Sequence, residues 1–151
     1  MSVEDVPPSP APAPPPPTPL PMPAVPTADV VVSAMPVLRV DDAERSVRFY
    51  CGRLGFRQDW WHQAGPDEPA TVSVSRGGAN LLLTERTDLG RNGQVCLWTI
   101  ELATLFGDWS NLEDVVLEHG PTPMPWGLTE MAFRDPDGNR IRVAQPTGCQ
   151  T

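Results

Sequence analysis

Apolar and polar residues alternate in two short runs near the end of the chain, separated by the sequence DPDGN at residues 135–139. Met131 and Phe133 share one face of the first run, and Ile141 and Val143 share one face of the second. In the intervening sequence, proline presets φ, aspartate bonds the turn backbone, and glycine or asparagine tolerates positive φ. The pattern therefore predicts a β-hairpin with one apolar face.

A second patterned stretch, VLRVDDAERSVRFYCGRLGF at residues 37–56, begins with the alternation of a short strand. Asp41 or Asp42 then stands where a helix N-cap is expected, and Gly52 and Gly55 mark the end of the helix. Between these limits, apolar residues recur at roughly helical spacing: Val47, Phe49, Tyr50 and Leu54. The stretch predicts a strand followed by an amphipathic helix.

The periodicity along the rest of the chain predicts two units with the same order of elements, βαβββ, in residues 30–85 and 94–146. The first unit has a strand over 30–40, a helix over 42–53, and strands over 56–63, 70–76 and 79–85. The second has a strand over 94–102, a helix over 104–119 broken or offset near Gly107, and strands over 121–125, 128–134 and 139–145. A polar linker over 86–93 joins them. This order predicts one α+β domain over residues 29–147, built from duplicated units with mixed-sheet packing.

The paired motifs FY-x3-LGF, early in the chain, and WG-x5-F-x-DPDGN, late in the chain, carry a family resemblance. Together they resemble the vicinal oxygen chelate superfamily, which holds glyoxalase I, extradiol dioxygenases, fosfomycin-resistance enzymes and bleomycin-resistance proteins. The resemblance implies that the two units form a curved mixed sheet around a cleft. The segments LGF-x2-DW at 54–60 and PWG-x2-E-x-A-F-R-D-P-x-G-N at 125–139 are most similar to the bleomycin-resistance branch. That similarity implies a homodimer, often with an exchanged N-terminal strand, whose two interface clefts sequester the drug without modifying it.

Composition sets residues 1–28 apart from this domain. Twelve of the twenty prolines lie in residues 7–26, and such density forbids helix and sheet. We expect a disordered tail with polyproline II character. A tether is favoured over a ligand for an SH3-like groove, because no basic residue flanks the proline run.

The net charge of −8 argues against nucleic acid as a partner, since an acidic domain repels phosphate backbones. Modest acidity is also what keeps a protein soluble, and that explanation is the simpler one. Three widely spaced cysteines suggest neither a disulfide framework nor a zinc site, and Cys51 and Cys96 fit small core positions. No run of residues is long and apolar enough to span a membrane, so a cytoplasmic location is expected.

The resemblance also allows a test for a catalytic metal. Metal-dependent members place ligands at four inward strand positions, which here fall on Met35, Leu82, Val95 and Arg142. A thioether, two aliphatic side chains and a permanent cation do not build a site for a divalent ion. Of the two histidines, His62 lies on a strand and His119 is expected to end the second helix, where its charge suits the helix dipole. We therefore expect no metal, no cofactor and no catalytic residue.

Flat aromatic side chains are the remaining candidate chemistry. Trp60, Trp61 and Trp126 fall at strand or loop positions, and alternation places Trp60 and Trp61 on opposite faces, so at most one packs in the core. Indole faces stack on planar rings and attract cations. By motif position, the resemblance makes Trp60 and Trp126 the stacking residues, while core and interface packing is an equally weighted use. Acidic side chains on neighbouring segments would receive a cationic ligand end: Asp59, Asp67, Glu68 and Glu130.

Glu130 and Arg142 both lie on the polar face of the late hairpin. As an acid and base pair they are weak candidates, and a salt bridge is the favoured interpretation. The leading hypothesis is a metal-free homodimer that binds a bleomycin-like planar, cationic antibiotic without turnover. An apolar cleft face left in water would make a single chain unfavourable. The rival hypotheses are a lyase or dioxygenase of the glyoxalase type, and a small-molecule sensor or partner-binding module.

Overall fold

The computed structural model describes residues 30–31 and 33–148, so the expected disordered tail lies outside the described residues. The first unit consists of β1 (Val37–Arg39), α1 (Ala43–Gly52), β2 (Arg57–Gln63), β3 (Ala70–Arg76) and β4 (Ala79–Thr84). The second consists of β5 (Gln94–Trp98), α2 (Leu102–Ser110), β6 (Leu117–Pro123), β7 (Leu128–Arg134) and β8 (Arg140–Pro146). No helix in this part of the chain is long and apolar enough to cross a membrane.

Each unit forms its own four-stranded mixed sheet, and the two sheets have the same strand order. The first runs β1-β4-β3-β2 and the second β5-β8-β7-β6. In each, the first strand pairs in parallel with the last, and the other pairs are antiparallel. The α+β class and the two βαβββ units are confirmed.

Helix α1 begins where the sequence predicts, because the Asp42 side chain accepts a hydrogen bond from the Arg45 backbone N–H (3.1 Å). Its buried face includes Phe49, whose ring lies 6.4 Å from the ring of Phe133 in β7. Trp109 of α2 meets Phe133 edge-on at 5.5 Å. Side chains from both helices and both sheets therefore share one core.

Strand alternation gives each sheet a core face and a second face, which we call the open face. In the first sheet the paired residues Leu38, Leu83, Val72 and Trp61 face the core, and Val37, Leu82, Ser73 and Trp60 lie on the open face. In the second sheet Val95, Ile141 and Phe133 face the core, and Cys96, Arg142, Ala132 and His119 lie on the open face. The core faces of both sheets contribute to one hydrophobic core, and each open face lies on the side of its sheet away from that core.

The DPDGN turn of the second unit caps the first helix of the first unit. Asp137 Oδ1 accepts hydrogen bonds from the Asp41 backbone N–H (2.8 Å) and from Arg45 Nη2 (2.6 Å). Asp137 Oδ2 also accepts from Ser46 Oγ (3.3 Å), and the Tyr50 hydroxyl donates to Asp135 Oδ2 (2.7 Å). The turn thus ties together segments about a hundred residues apart in sequence.

Burial sets the protonation of this contact. It raises the pKa of the Asp135 carboxyl above its ordinary value, against the lowering effect of hydrogen bonds from Asn139 and Tyr50. Burial, together with the neighbouring Asp135, also raises the pKa of Tyr50 well above its ordinary value, so this phenol remains a donor at neutral pH.

Three predicted elements differ from the observed ones. The first strand contains only Val37–Arg39, because β4 offers pairing partners to these residues alone, and the strand prediction from residue 30 was too long. Helix α2 passes through Gly107 and ends at Ser110, where the Leu112 N–H turns back onto the Trp109 carbonyl (3.1 Å). Strand β6 begins at Leu117 instead of 121, and register shifts carry it past Gly120. His119 consequently lies on a strand, and its predicted place at a helix end was wrong.

Candidate functional site

Glu130 occupies the middle of the second open face and is almost wholly buried, with 1% of its side chain exposed. Its Oε1 atom accepts hydrogen bonds from Arg142 Nε (2.8 Å) and from Arg142 Nη2. Its Oε2 atom accepts a hydrogen bond from Trp126 Nε1 (2.6 Å). Both oxygens of the carboxylate are therefore engaged by neighbours within the chain, and the favoured salt bridge to Arg142 is present.

Trp126 stands in the turn that leads into β7. The turn requires Gly127 at φ +89°, and the Gly127 N–H donates to the Met124 carbonyl oxygen (3.1 Å). Although its N–H edge is held by Glu130, 61% of Trp126 is exposed. The indole is thus a surface plane anchored at one edge.

Strand β5 adds two residues to this face that the sequence did not single out. Cys96 pairs with Arg142, and Trp98 pairs with Ala144, which itself pairs with Glu130. Trp98 is 64% exposed. Cys96 is exposed as well, so its predicted core position was wrong. The alternation in QVCLW already indicated that Cys96 lies on the face away from the core, because Val95 and Leu97 are the apolar pair of that strand.

The Cys96 thiol nevertheless has a raised pKa, because burial of the sulfur outweighs the lowering effect of the Arg142 cation. Cys51 on α1 is half-buried and packs against the core, as expected. Burial raises the pKa of this thiol too. Neither thiol has the depressed pKa of an activated nucleophile.

The first open face carries Trp60, which pairs with Ser73 of β3. Trp61 lies on the opposite side and packs against the core, in agreement with the alternation. A register shift between Gln58 and Trp60 gives Asp59 a bulged position. Only 4% of the Asp59 side chain is exposed; Oδ1 accepts from Arg57 Nε (2.9 Å), whereas Oδ2 has no hydrogen-bond partner among the described residues.

The candidate residues therefore form two groups. Trp126, Glu130 and Arg142 lie together on the second open face, while Trp60 and Asp59 belong to the first unit, on the other side of the shared core. Asp67 and Glu68 are exposed in the loop between β2 and β3. None of these residues lines the cleft of about 950 Å³ at the seam of the two units, which is bounded by the β3–β4 turn, β5 and the start of α2.

The four positions tested for metal ligands do not share one surface of the domain. Leu82 and Arg142 lie on the open faces, where their strand partners are Val37 and Cys96. Val95, in contrast, faces the core, and Met35 precedes β1. Within residues 30–31 and 33–148, no group of three or more histidine, cysteine, aspartate or glutamate side chains is placed to hold a metal ion.

Neither histidine joins such a group. His62 is exposed on β2, opposite Thr71. His119 lies on the second open face, with Nδ1 2.9 Å from the Gly120 carbonyl oxygen.

Comparisons with known proteins agree with this architecture. The family model described as "Glyoxalase superfamily protein" matches residues 27–149. A search of curated proteins finds no match. Among solved structures, a bleomycin resistance determinant encoded on the transposon Tn5 is 25% identical, with a TM-score of 0.64 over 78% of this chain and 99% of that chain.

Two further solved structures have the same fold. A bleomycin-binding protein complexed with bleomycin is 26% identical, with a TM-score of 0.62 over 76% of this chain and 98% of that chain. An antibiotic-binding protein from Streptomyces sp. CB03234 is 24% identical, with a TM-score of 0.65 over 78% of this chain and 98% of that chain. The match to the family model spans most of the sequence, and the duplicated sheets have the topology that the resemblance implied. The chain belongs to the glyoxalase superfamily, and its structural neighbours include the bleomycin-binding branch.

Proposed function

We propose that this chain forms a homodimer that sequesters a planar antibiotic of the bleomycin kind between the open faces of two copies, without modifying it. The observation that carries the proposal is the position of the flat aromatic side chains. The helices and the core occupy one side of each sheet, and Trp60, Trp98 and Trp126 lie on or beside the other. Such planes bind the ring systems of natural products by stacking.

The direction of the open faces supports a dimer. Because each open face lies on the side of its sheet away from the shared core, and Trp60 and Trp126 lie on or beside different sheets, a cleft walled by both would take one face from each of two copies. Exposed apolar side chains around these faces include Trp98, Trp126 and Val37, and a patch of this kind is unfavourable in water. A two-fold axis would then generate two identical clefts.

The start of the domain supports exchange of an N-terminal segment between the copies. Val30 and Val31 are exposed, although their side chains favour strands. Strand β5 lies at the edge of its sheet, and residues 95–98 line the seam cleft next to Ser33 and Ala34. A strand from the second copy would satisfy this free edge and cover apolar surface at the same time.

Binding without turnover is favoured over catalysis by the state of Glu130. A general acid or base needs an oxygen that can reach the substrate, and both oxygens of Glu130 are occupied by Arg142 and Trp126. The same fact excludes Glu130 as the acceptor for a cationic ligand end. The exposed Asp67 and Glu68 are better suited to that role, because the side chain of Asp59 is only 4% exposed.

Titration with metal-free bleomycin, followed by tryptophan fluorescence, tests the proposal. We expect saturable quenching at one drug per chain, and recovery of the drug with unchanged mass after release. Trp126→Ala should weaken binding about five- to twelvefold, because stacking contributes about 1–1.5 kcal/mol. Val116→Ala, which changes an exposed apolar residue outside the strands, is the matched control. Absence of saturable binding by a dimer, or chemical conversion of the drug, would refute the proposal.

A further inference from the structure

We infer that Glu130 is a positioning residue that holds Trp126 and Arg142 as one preformed platform, and that the platform selects a planar ring bearing a carbonyl or carboxylate oxygen. The inference rests on the proposed function, since it specifies the ligand chemistry of the same cleft. It assigns this half of the cleft to a hydrogen-bond acceptor on the ligand, whereas the sequence pointed to a ligand cation.

Both oxygens of the Glu130 carboxylate are engaged within the chain. Arg142 donates twice to Oε1, and Trp126 donates to Oε2. With 1% of its side chain exposed, Glu130 cannot reach a ligand unless one of these bonds breaks. Replacing one of these donors by a donor on the ligand gives little net affinity, because the displaced Arg142 or Trp126 N–H group is left unpaired.

Arg142 keeps hydrogen-bond donors that Glu130 does not use. Arg142 uses Nε and Nη2 for Glu130, and its Nη1 atom has no partner among the described residues. Its side chain remains 26% exposed on the open face. A guanidinium held on one edge offers its other N–H groups in a fixed direction, which suits a carboxylate or carbonyl oxygen.

Glu130 joins the two parts of the platform. One carboxylate holds the indole edge on one oxygen and the guanidinium on the other, so the stacking plane and the donor lie side by side. A ring stacked on Trp126 would have a substituent oxygen next to its edge within reach of Arg142. Because both groups are already ordered, little side-chain entropy is lost when the ligand binds.

The charge around the platform points the same way. Glu118, on the same sheet, forms ion pairs with Arg134 (2.6 Å) and Arg140 (3.0 Å). Together with the pair between Arg142 and Glu130, three guanidinium groups face two carboxylates. A local excess of one positive charge favours an anionic or carbonyl group over an ammonium.

Two planar probes of opposite charge, 2-naphthoate and 2-naphthylmethylamine, test the inference in full-length dimeric protein. At neutral pH we expect 2-naphthoate to bind at least about tenfold more tightly, as a charge-assisted hydrogen bond predicts. Arg142→Gln should abolish this preference. Arg86→Gln is the matched control: it removes the same charge from an exposed pair with Asp88 in the linker and should leave the preference intact.

Glu130→Gln tests positioning separately from folding. In a ¹H–¹⁵N spectrum we expect the Trp126 indole N–H, assigned by its loss in Trp126→Phe, to move upfield when the charged acceptor is removed. Affinity for 2-naphthoate should fall in the same variant, although the side chain keeps its size, and Glu130→Asp should restore part of both signals.

Equal affinity for the two probes, or a preference that survives Arg142→Gln, would overturn the inference and leave the proposed function standing. An indole resonance unmoved by Glu130→Gln would overturn the positioning role. Binding of neither probe would overturn the inference, and the bleomycin titration would then decide the proposed function alone.

Discussion

Substitution of Asp137 by alanine should loosen the contact between the two units more than any surface change of equal charge. The carboxylate is 1% exposed and lies in the turn of the late hairpin. It accepts hydrogen bonds from the Asp41 backbone, from Arg45 and from Ser46, all at the start of α1. Removing it leaves the first turn of α1 without these partners from the second unit.

The magnitude follows from these contacts. Hydrogen bonds to a charged group contribute about 1.5–3 kcal/mol each. Arg45 is 43% exposed and is rehydrated when released, and the Ser46 contact is long at 3.3 Å, so neither counts in full. We expect the free energy of unfolding to fall by about 2–4 kcal/mol for Asp137→Ala. In a domain of this size the melting temperature would fall by about 10 °C. Asp137→Asn keeps one acceptor oxygen and should lose about half as much.

Urea denaturation followed by circular dichroism measures these changes in each variant. Asp88→Ala is the control, because the pair between Asp88 and Arg86 is highly exposed and its loss should not change the midpoint measurably. If Asp137→Ala and Asp88→Ala have the same midpoint as the parent protein, the turn does not hold the units together. A second transition in Asp137→Ala alone would mean that the units unfold separately once the contact is lost.

Three further predictions concern single side chains. The pKa of Asp135 is raised in the folded state. The stability of the parent relative to Asp135→Asn should therefore be greatest below about pH 3.8 and should fall as the pH rises through the folded pKa. Denaturation midpoints that rise over this pH range, relative to those of Asp135→Asn, would contradict the assignment. Trp61→Ala should lower the free energy of unfolding by about 1–3 kcal/mol, because Trp61 packs against the core. Trp60→Ala should weaken drug binding at nearly unchanged stability. The reverse result would mean that Trp60 faces the core and Trp61 lies on the open face. Alkylation of Cys96 by iodoacetamide should be slow at neutral pH and should accelerate in alkali, because the pKa of the thiol is raised. Bound ligand should block the reaction, since Cys96 pairs with Arg142. If saturating drug does not protect Cys96, the ligand lies away from Arg142.

The late hairpin and α1 were predictable because the decisive signals are local. Alternation over a few residues determines that Met131 and Phe133 face the core and that Glu130 does not. Asp42 caps the helix within three residues of its own position, so the motif alone locates the start. Local physics of this kind requires no knowledge of the partner segments.

The contacts of the site were not predictable in the same way. Periodicity assigned Glu130 to the open face, but whether its oxygens remain free depends on the turn at Gly127, which brings the Trp126 indole back over the sheet. Likewise, no sequence signal near Asp137 indicates that its carboxylate accepts a hydrogen bond from the Asp41 backbone N–H. Cys96 was misassigned because a small thiol suits either face of a strand.

Mixing two defective variants shows whether the proposed cleft is built from the open faces of two copies. In the proposed dimer, Trp60→Ala and Trp126→Ala homodimers would each lack one wall of both clefts. After subunit exchange, the heterodimer has one cleft with both tryptophans and one with neither. We predict that the equimolar mixture regains parent-like affinity for bleomycin at one site per heterodimer. If the mixture exchanges subunits yet binds no better than either variant alone, the cleft is not shared between two copies.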